Sequence, residues 1–211
     1  MRALVTAFEP FGGDHVNTSY EAVRRLPARN GGLDITTALL PTSYARASAV
    51  LEQEIARLTP HIVLCTGEAS GRHALNIERI AINVQDARIP DNDGAQPHDT
   101  PVVPGGPTAY LATLPIKSIA AALCADGLAT EISNSAGTFV CNHVFYGLMH
   151  FAARNQEKFC GGFLHVPCLG RQAAGNVIAS TLSLDDIVHG ILIALEATRM
   201  HVSQSASRCQ G

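Results

Sequence analysis

The stretch EISNSAGTFVCNHVFYGLMH, residues 131–150, predicts a strand, a tight turn and a helix in succession. A short apolar segment around Leu128 and Ile132 has strand length, and small and polar residues follow it at 133–137. Apolar residues then recur at helical spacing through Leu148. Strands that alternate with helices form layered domains around a mostly parallel sheet. This unit therefore indicates an α/β fold.

Cys141 lies in the first turn of the predicted helix. Unpaired backbone N–H groups and the positive end of the helix dipole stabilise an anion at that place. We therefore expect the Cys141 thiol to ionise more readily than a free cysteine. The same N–H groups can donate to an oxyanion that forms beside the sulfur. The alternative is that Cys141 is a small buried hydrophobic residue, as most cysteines are.

The rest of the chain repeats this alternation. Capping boxes at Thr18-x-x-Glu21 and Ser183-x-x-Asp186 start two of the helices. Residues 86–107 contain five prolines and three glycines, which predicts a long loop that is functional or mobile. The predicted strands are residues 2–8, 34–40, 61–65, 75–84 and 163–167, and the predicted helices are 18–26, 43–58, 115–126 and 184–200.

These elements predict a single-domain three-layer α/β/α sandwich around a mostly parallel twisted sheet. The catalytic domain is expected at residues 1–200, and a polar, disordered tail at 201–211. No internal repeat and no interdomain linker interrupts the alternation.

Composition excludes several classes of protein. With 46% hydrophobic residues, 16% charged residues and a net charge of −3, the chain has neither a disordered composition nor the basic surface of a nucleic-acid-binding protein. No apolar run reaches the roughly 18 residues of a membrane span, and the N-terminal residues lack a secretory hydrophobic region. Six cysteines without a CxxC pair favour reduced thiols. We therefore expect a cytoplasmic protein that acts on small neutral substrates.

His165 is the preferred general base for Cys141. Ligands of parallel α/β sheets bind at the carboxyl ends of the strands, and both residues are expected at that edge. His61 begins its strand at the opposite edge, and His143 is two residues from Cys141, on a different face of the helix. Two alternatives remain for His165: a buried histidine with satisfied hydrogen bonds, and a metal ligand together with Cys160 and Cys168.

A third polar group commonly orients such a histidine. Glu78 is the leading candidate, because a carboxylate within the apolar stretch LNIERIAI requires a partner if it is buried. A simple ion pair with Arg72 or Arg79 is the alternative role for Glu78. The sequence leaves other orienting carboxylates open, namely Glu9, Glu68, Asp86, Asp91 and Asp93.

Five segments in this order resemble the pyroglutamyl peptidase type I family, also called pyrrolidone-carboxylate peptidases. The resemblance covers about residues 2–200 and rests on LVTAFEPFGG (4–13), GRHALNIERIAINVQDARIPDNDG (71–94), PTAYLATLPIK (107–117), SNSAGTFVCNHVFYG (133–147) and GFLHVP (162–167). It implies a cysteine peptidase that removes an N-terminal pyroglutamyl residue from peptides. It also implies a Cys141–His165–Glu78 triad, no cofactor and a homotetramer.

The resemblance also implies how substrate is held. Arg88 and the backbone N–H of Cys141 would form the oxyanion site, and an apolar pocket for the lactam ring would consist of Phe8, Phe11, Ile89, Phe139, Val140 and Val144. The chain departs from the family pattern at three positions. Glu68 lies in the pocket loop where relatives often have a neutral side chain, Thr18 replaces the proline usual after Asn17, and Ser135 stands where threonine is common.

Two other functions fit parts of the sequence. Ser135 sits on the strand-to-helix turn and would be the nucleophile of a serine hydrolase, although the first glycine of G-x-S-x-G is missing. A non-catalytic small-molecule binding domain can also use the same α/β scaffold, since fold does not fix function. Thiol alkylation distinguishes the three functions. It would abolish the activity of a cysteine peptidase, leave that of a serine hydrolase unchanged, and find no activity in a binding domain.

Overall fold

The computed structural model describes residues 1–156, 159–169 and 182–208, whose helices and strands form three layers. In chain order the elements are β1 Arg2–Phe8, α1 Thr18–Val23, β2 Arg29–Asn30, β3 Leu33–Leu40, α2 Ala47–Leu58, β4 Ile62–Ala69, β5 Leu75–Glu78, β6 Ile80–Ile82, β7 Ala109–Leu111, α3 Ile116–Ala125, β8 Thr130–Ser133, α4 Val140–Asn155, β9 Cys160–Pro167 and α5 Leu184–Arg208.

The central sheet has seven strands in the order β2-β3-β1-β4-β9-β5-β8. Strands β3, β1, β4 and β9 run parallel to one another. Strands β5 and β8 are parallel to each other, but β5 pairs antiparallel with β9. A separate two-stranded sheet contains β6 and β7. The prediction of an α/β fold around a mostly parallel sheet is confirmed.

Helices cover the central sheet on both faces. One buried cluster joins α1, α3 and α5 to residues such as Leu64 and Leu164 on one face. The other joins α2 and α4 to Val63, Cys65 and Phe163 on the opposite face. Successive residues of a strand point to opposite faces, so the continuous apolar run of β4 supplies both clusters at once, as expected of a central strand.

The long loop is confirmed as irregular over residues 86–107, apart from a bridge between Gln85 and Thr100. Asp91 organises part of it, because its carboxylate accepts from the backbone N–H groups of Tyr44, Asp93 and Ala95. A carboxylate that accepts several backbone hydrogen bonds satisfies N–H groups that would otherwise pair within a helix or sheet. The conformation of this part of the loop is therefore stabilised by a side chain.

Several helix boundaries differ from the prediction: α1 ends at Val23 rather than at 26, and α2 begins at Ala47 rather than at 43. The N-cap of α1 is Asn17, whose Oδ1 accepts from the Ser19 N–H, and not Thr18. The last helix does not end at about Met200 with a disordered tail, because α5 continues through Arg208. No Gly or Pro interrupts residues 201–208, and the Ser205 hydroxyl donates to the His201 carbonyl within the helix. Residues 209–211 of the predicted tail lie outside the described residues.

Strand boundaries also differ. The predicted strand at 75–84 is divided, because the chain leaves the central sheet after Glu78 and continues as β6 beside β7. Strand β4 continues beyond Cys65 to Ala69 through its pairing with β9. The predicted strand ended at residue 65, shortly before Gly67, but glycine also occurs in strands where another group approaches closely.

Candidate active site

A cavity of about 450 Å³ opens beside the start of α4. It contains most of the residues that the sequence singled out, with additions from the loops around it. Its lining residues are Phe8, Phe11, Asn17, Thr42, Glu68, Ala69, Ser70, Arg72, Asp86, Arg88, Ile89, Ala136, Gly137, Thr138, Phe139, Cys141 and His165.

The first turn of α4 presses Cys141 against the sheet at Gly67. A Cβ atom built on Gly67 would lie 2.8 Å from Cys141 Sγ, so only glycine leaves room for the sulfur. Gly67 is the register partner of His165 across β4 and β9. The structure therefore brings Cys141 and His165 to neighbouring positions on one face of the sheet.

Cys141 and His165 lie close together for a different reason than the one predicted from the sequence. Strand β8 runs opposite to β9, so its carboxyl end does not lie at the same edge of the sheet as that of β9. Ser133, the last residue of β8, is level with Glu78, which in turn pairs with Phe163 in the middle of β9. The turn at 134–139 then places α4 over the α2-side face of the sheet. Cys141 thus reaches His165 from above the sheet.

Glu78 is the carboxylate that contacts the histidine. His165 Nδ1 lies 2.8 Å from Glu78 Oε1, and both side chains are almost completely buried. The carboxylates of four rivals have other partners: Glu68 binds the Thr18 N–H, Asp86 the Asp99 N–H, Asp91 its own loop, and Asp93 the side chains of Ser43 and Arg46. The alternative ion pair with Arg72 exists as well, between the completely buried Glu78 carboxylate and a guanidinium that is 26% exposed.

Burial dominates the acid–base properties of the pair. It raises the pKa of the Cys141 thiol to about 12, and the nearby Glu78 charge acts in the same direction. The expectation of a lowered Cys141 pKa is therefore wrong, because desolvation outweighs the helix terminus. Burial also lowers the pKa of His165 below 6.5, although Glu78 opposes that shift. Both groups are neutral at pH 7, which suits an imidazole that accepts a proton from the thiol during reaction.

The N–H groups of the first turn of α4 receive no side-chain cap from the N-cap residue. The N-cap residue Phe139 has an extended backbone and supplies no side-chain acceptor to them. Unpaired N–H groups at a helix start are good donors to an anion. The Cys141 thiol therefore lies next to backbone donors of the helix start, and the exposed Arg88 lines the same cavity.

Aromatic rings form the apolar wall. Phe139 lies between Phe11 and Tyr44, with ring centroids 5.7 Å from each. Phe8 and Ile89 complete the lining on this side. Val140 and Val144, which the resemblance assigned to the pocket, are not lining residues. They point from α4 into the buried core, at 1% and 0% exposure, and support the wall from behind.

Glu68 and Thr18 are in direct contact. Glu68 Oε2 accepts from the Thr18 backbone N–H at 2.7 Å, and the carboxylate is only 7% exposed. The Thr18 hydroxyl in turn accepts from the Leu169 N–H. Glu68 therefore satisfies an open donor at the start of α1 while it lines the cavity. Two of the three departures from the family pattern thus form one interaction.

Two residues near the site were not assigned a role there from the sequence, Asn142 and Arg72. Asn142 joins α4 to the β6 segment, because its Oδ1 accepts from the Ile82 N–H and its Nδ2 donates to the Ile82 and Val84 carbonyls. Its position among apolar residues was the available signal, since a buried amide requires partners. Arg72 was named only as an alternative partner for Glu78, and it also lines the cavity.

The alternative sites find less support. Ser135 is exposed, does not line the cavity, and its Oγ accepts from the Gly137 N–H within the turn. No group of three or more potential metal ligands occurs within residues 1–156, 159–169 and 182–208. In the same part of the chain no helix is long and apolar enough to cross a membrane.

Comparisons with known proteins agree on one family. The family model described as pyroglutamyl peptidase matches residues 1–201. Pyrrolidone-carboxylate peptidase 1 of Ralstonia nicotianae is 50% identical over 196 residues, which are 92% of this chain and 91% of that protein. The pyrrolidone-carboxylate peptidase of Brevibacillus brevis is 46% identical over 199 residues, covering 94% and 93%.

Solved structures are similar over the same length. The crystal structure of pyroglutamyl peptidase I from Bacillus amyloliquefaciens superposes with a TM-score of 0.89 at 42% identity, covering 93% of this chain and 96% of that chain. Pyrrolidone carboxyl peptidase from Thermococcus litoralis gives a TM-score of 0.91 at 33% identity, covering 97% and 96%.

The contact between Gly67 and the Cys141 sulfur can be tested by stability. Gly67→Ala would place a methyl group against Cys141 Sγ and the Phe163 ring, and we expect a loss of about 1–3 kcal/mol in the free energy of unfolding. In a Cys141→Ala background the loss should be smaller, because the sulfur is gone. Urea denaturation of the wild type, the two single variants and the double variant measures the coupling free energy between positions 67 and 141.

Gly161→Ala is the matched control, since its methyl group would meet Phe159 and Leu148 instead. Its cost should not change with the residue at 141. An equal cost of Gly67→Ala in both backgrounds would contradict the close packing of Cys141 on β4.

Proposed function

The chain belongs to the pyroglutamyl peptidase family, and from this we propose that Cys141 is the nucleophile, His165 the general base and Glu78 the group that orients the imidazole. The reaction of the family is the removal of an N-terminal pyroglutamyl residue from a peptide, and this chain is a cysteine exopeptidase of that kind. The observation that carries the residue assignment is the position of Cys141 Sγ over Gly67, the register partner of His165.

The proposed reaction begins with a neutral thiol and a neutral imidazole. His165 Nδ1 bonds to Glu78, so the other ring nitrogen, Nε2, is the acceptor for the Cys141 proton. As that proton moves, the sulfur attacks the pyroglutamyl carbonyl carbon and a tetrahedral oxyanion forms. Glu78 stabilises the imidazolium that results, because a carboxylate favours the charged form of its neighbour.

Collapse of the intermediate breaks the peptide bond. The imidazolium gives its proton to the departing amine, and the pyroglutamyl group stays on the sulfur as a thioester. Water then enters, His165 takes a proton from it, and hydrolysis releases pyroglutamate and restores the thiol. The Cys141 backbone N–H, with Arg88 at the cavity rim, is the proposed donor set for both oxyanions.

Selection of the lactam follows from the cavity wall. Phe8, Phe11, Ile89 and Phe139 offer apolar surface to an uncharged ring. An open-chain N-terminal residue carries an ammonium, whose desolvation against such a wall is unfavourable. Glu68 is the carboxylate that could reduce this penalty, but its Oε2 is already engaged by the Thr18 N–H. We therefore propose that the pocket selects pyroglutamyl over charged N-termini.

Location and assembly also belong to the proposal. Cys65, Cys124, Cys141 and Cys160 are free thiols, which is the usual state in a reducing compartment. This favours the cytoplasm. A homotetramer is proposed from the family resemblance, with pyroglutamylated peptides as the substrates and without a nucleic-acid or membrane partner.

Loss of the nucleophile is the first test. Cys141→Ala should fold but hydrolyse pyroglutamyl-aminomethylcoumarin at least about 10⁴-fold more slowly, since removal of a covalent nucleophile removes several orders of magnitude in rate. Ser135→Ala is the control and should keep kcat within about threefold of wild type. Residual activity of Cys141→Ala within about tenfold of wild type would eliminate Cys141 as nucleophile.

The pH dependence tests the histidine. Activity requires neutral His165, so the acid limb of kcat/KM should lie below pH 6.5, where burial places the pKa of His165. Glu78 raises that pKa, and Glu78→Gln should therefore move the limb to lower pH while kcat decreases. A pH–rate profile of both proteins measures the two effects. A limb that moves to higher pH in Glu78→Gln would contradict the assigned pair.

Matched substrates test the pocket. We expect kcat/KM for pyroglutamyl-aminomethylcoumarin to exceed that for the glutaminyl analogue at least about 100-fold, as for an uncompensated charge of roughly 3 kcal/mol. Glu68→Gln keeps an acceptor for the Thr18 N–H and should widen the preference, while Phe139→Ala should lower kcat/KM for the lactam. Equal values for the two substrates in the wild type would show that the pocket does not select on charge.

A further inference from the structure

Arg72 connects the two halves of the proposed active site. Its Nη1 donates to Glu78 Oε1 at 2.6 Å, and its Nη2 donates to the Ser135 carbonyl at 2.8 Å. Glu78 is the carboxylate behind the histidine, and Ser135 lies in the turn that leads into α4. One planar guanidinium therefore fixes both the orienting group and the backbone that delivers the nucleophile.

The backbone conformation around Arg72 also helps to hold the residue in place. Gly71 has φ +85°, a conformation that lets the backbone turn sharply after β4, and the Arg72 N–H donates to the Ala69 carbonyl. The Arg72 side chain is only 26% exposed. The Arg72 backbone is held by one hydrogen bond and two guanidinium nitrogens are held by two others. The side chain therefore loses little further conformational freedom during the reaction.

Glu78 depends on this contact. Its side chain is completely buried, and Oε1 accepts from both His165 and Arg72, whereas Oε2 has no hydrogen-bond partner among the described residues. A buried carboxylate without a cation would be poorly compensated by a neutral imidazole alone. Arg72 therefore compensates the buried carboxylate of Glu78 and holds it in the rotamer that orients His165.

We propose that Arg72 is a positioning residue for the peptidase reaction, acting through Glu78 and through the Ser135 carbonyl rather than by contact with the substrate. The proposal rests on the assignment of Cys141, His165 and Glu78 above. Arg72 lines the cavity, but the apolar wall proposed for the lactam consists of Phe8, Phe11, Ile89 and Phe139, so loss of Arg72 should affect turnover more than binding.

The charge of Arg72 has a second effect on the thiol. It lowers the pKa of Cys141, in opposition to burial and to the charge of Glu78. Removal of the cation should therefore leave less thiolate at a given pH. The rate at which iodoacetamide alkylates Cys141, followed by mass spectrometry of the Cys141 peptide, reports this change without any peptidase assay.

Arg72→Met should lower kcat for pyroglutamyl-aminomethylcoumarin about 100-fold, as expected for misplaced catalytic groups, and leave KM within about threefold. Alkylation of Cys141 at pH 9 should slow several-fold. Arg72→Lys should give intermediate values for kcat and for alkylation, because one ammonium cannot serve both acceptors in the geometry of the fork.

Arg79→Met is the matched control. Arg79 follows Glu78 directly, and its Nε donates to Asn134 Oδ1, so the variant loses the same charge and a contact to the same turn but no contact to Glu78. It should keep kcat and the alkylation rate within about threefold of wild type. Urea denaturation of each variant shows whether it is folded under the assay conditions, so that kcat and the alkylation rate are compared between folded proteins.

Several outcomes would overturn the proposal: an unchanged kcat in Arg72→Met, a rise in KM with kcat preserved, or an equal loss in Arg79→Met. If Arg72→Met does not fold, Arg72→Lys decides, and wild-type kcat in that variant would count against the two-acceptor geometry. A wild-type protein that does not cleave the substrate would refute the proposed function instead, and the alkylation rates would then decide the effect of Arg72 alone.

Discussion

The carboxylate of Glu78 is buried without any exposed surface, and the arrangement of the site depends on how its charge is balanced. Removing an ion from water costs several kcal/mol unless partners replace the lost hydration. Here an imidazole and a guanidinium bind the same oxygen, Oε1, at 2.8 and 2.6 Å. The arginine compensates the charge of the carboxylate, and the histidine is held through its Nδ1. The orientation of the proposed general base thus follows from a single electrostatic requirement.

The reversed pair of strands makes that contact geometrically available. If β5 ran parallel to β9, Glu78 at its carboxyl end would stand at the edge of the sheet, where water competes for its charge. Because β5 is antiparallel, Glu78 is level with Phe163 in the sheet interior and shares a face with His165. The same reversal in β8 starts the turn to α4 within the sheet rather than beyond it. Cys141 can then settle on Gly67, where the absence of a side chain allows close contact.

Much of this fold could be predicted from local sequence signals. The apolar runs of β1 and β4, the strand–turn–helix around Cys141 and the breaker-rich loop at 86–107 are each determined by residues close together in the chain. The direction of β5 and β8 was not predictable in this way, because strand direction depends on pairings between distant segments. The Cys141 pKa was misjudged for a related reason: the helix terminus is visible in the sequence, whereas the degree of burial is not. Val140 and Val144 were assigned to the pocket by resemblance, but the helical phase directs them into the core.

The contact between Glu68 and Thr18 explains how a carboxylate can lie in an apolar cavity wall. A proline at position 18, which the family resemblance leads us to expect, would carry no N–H and would need no acceptor at the first position of α1. Threonine restores that donor in a buried place, where an unpaired N–H is costly. The Glu68 oxygen satisfies it at 2.7 Å, and the donor in turn compensates part of the carboxylate's lost hydration. The charge at position 68 is therefore explained by the start of α1, without any requirement for a cationic substrate in the cavity.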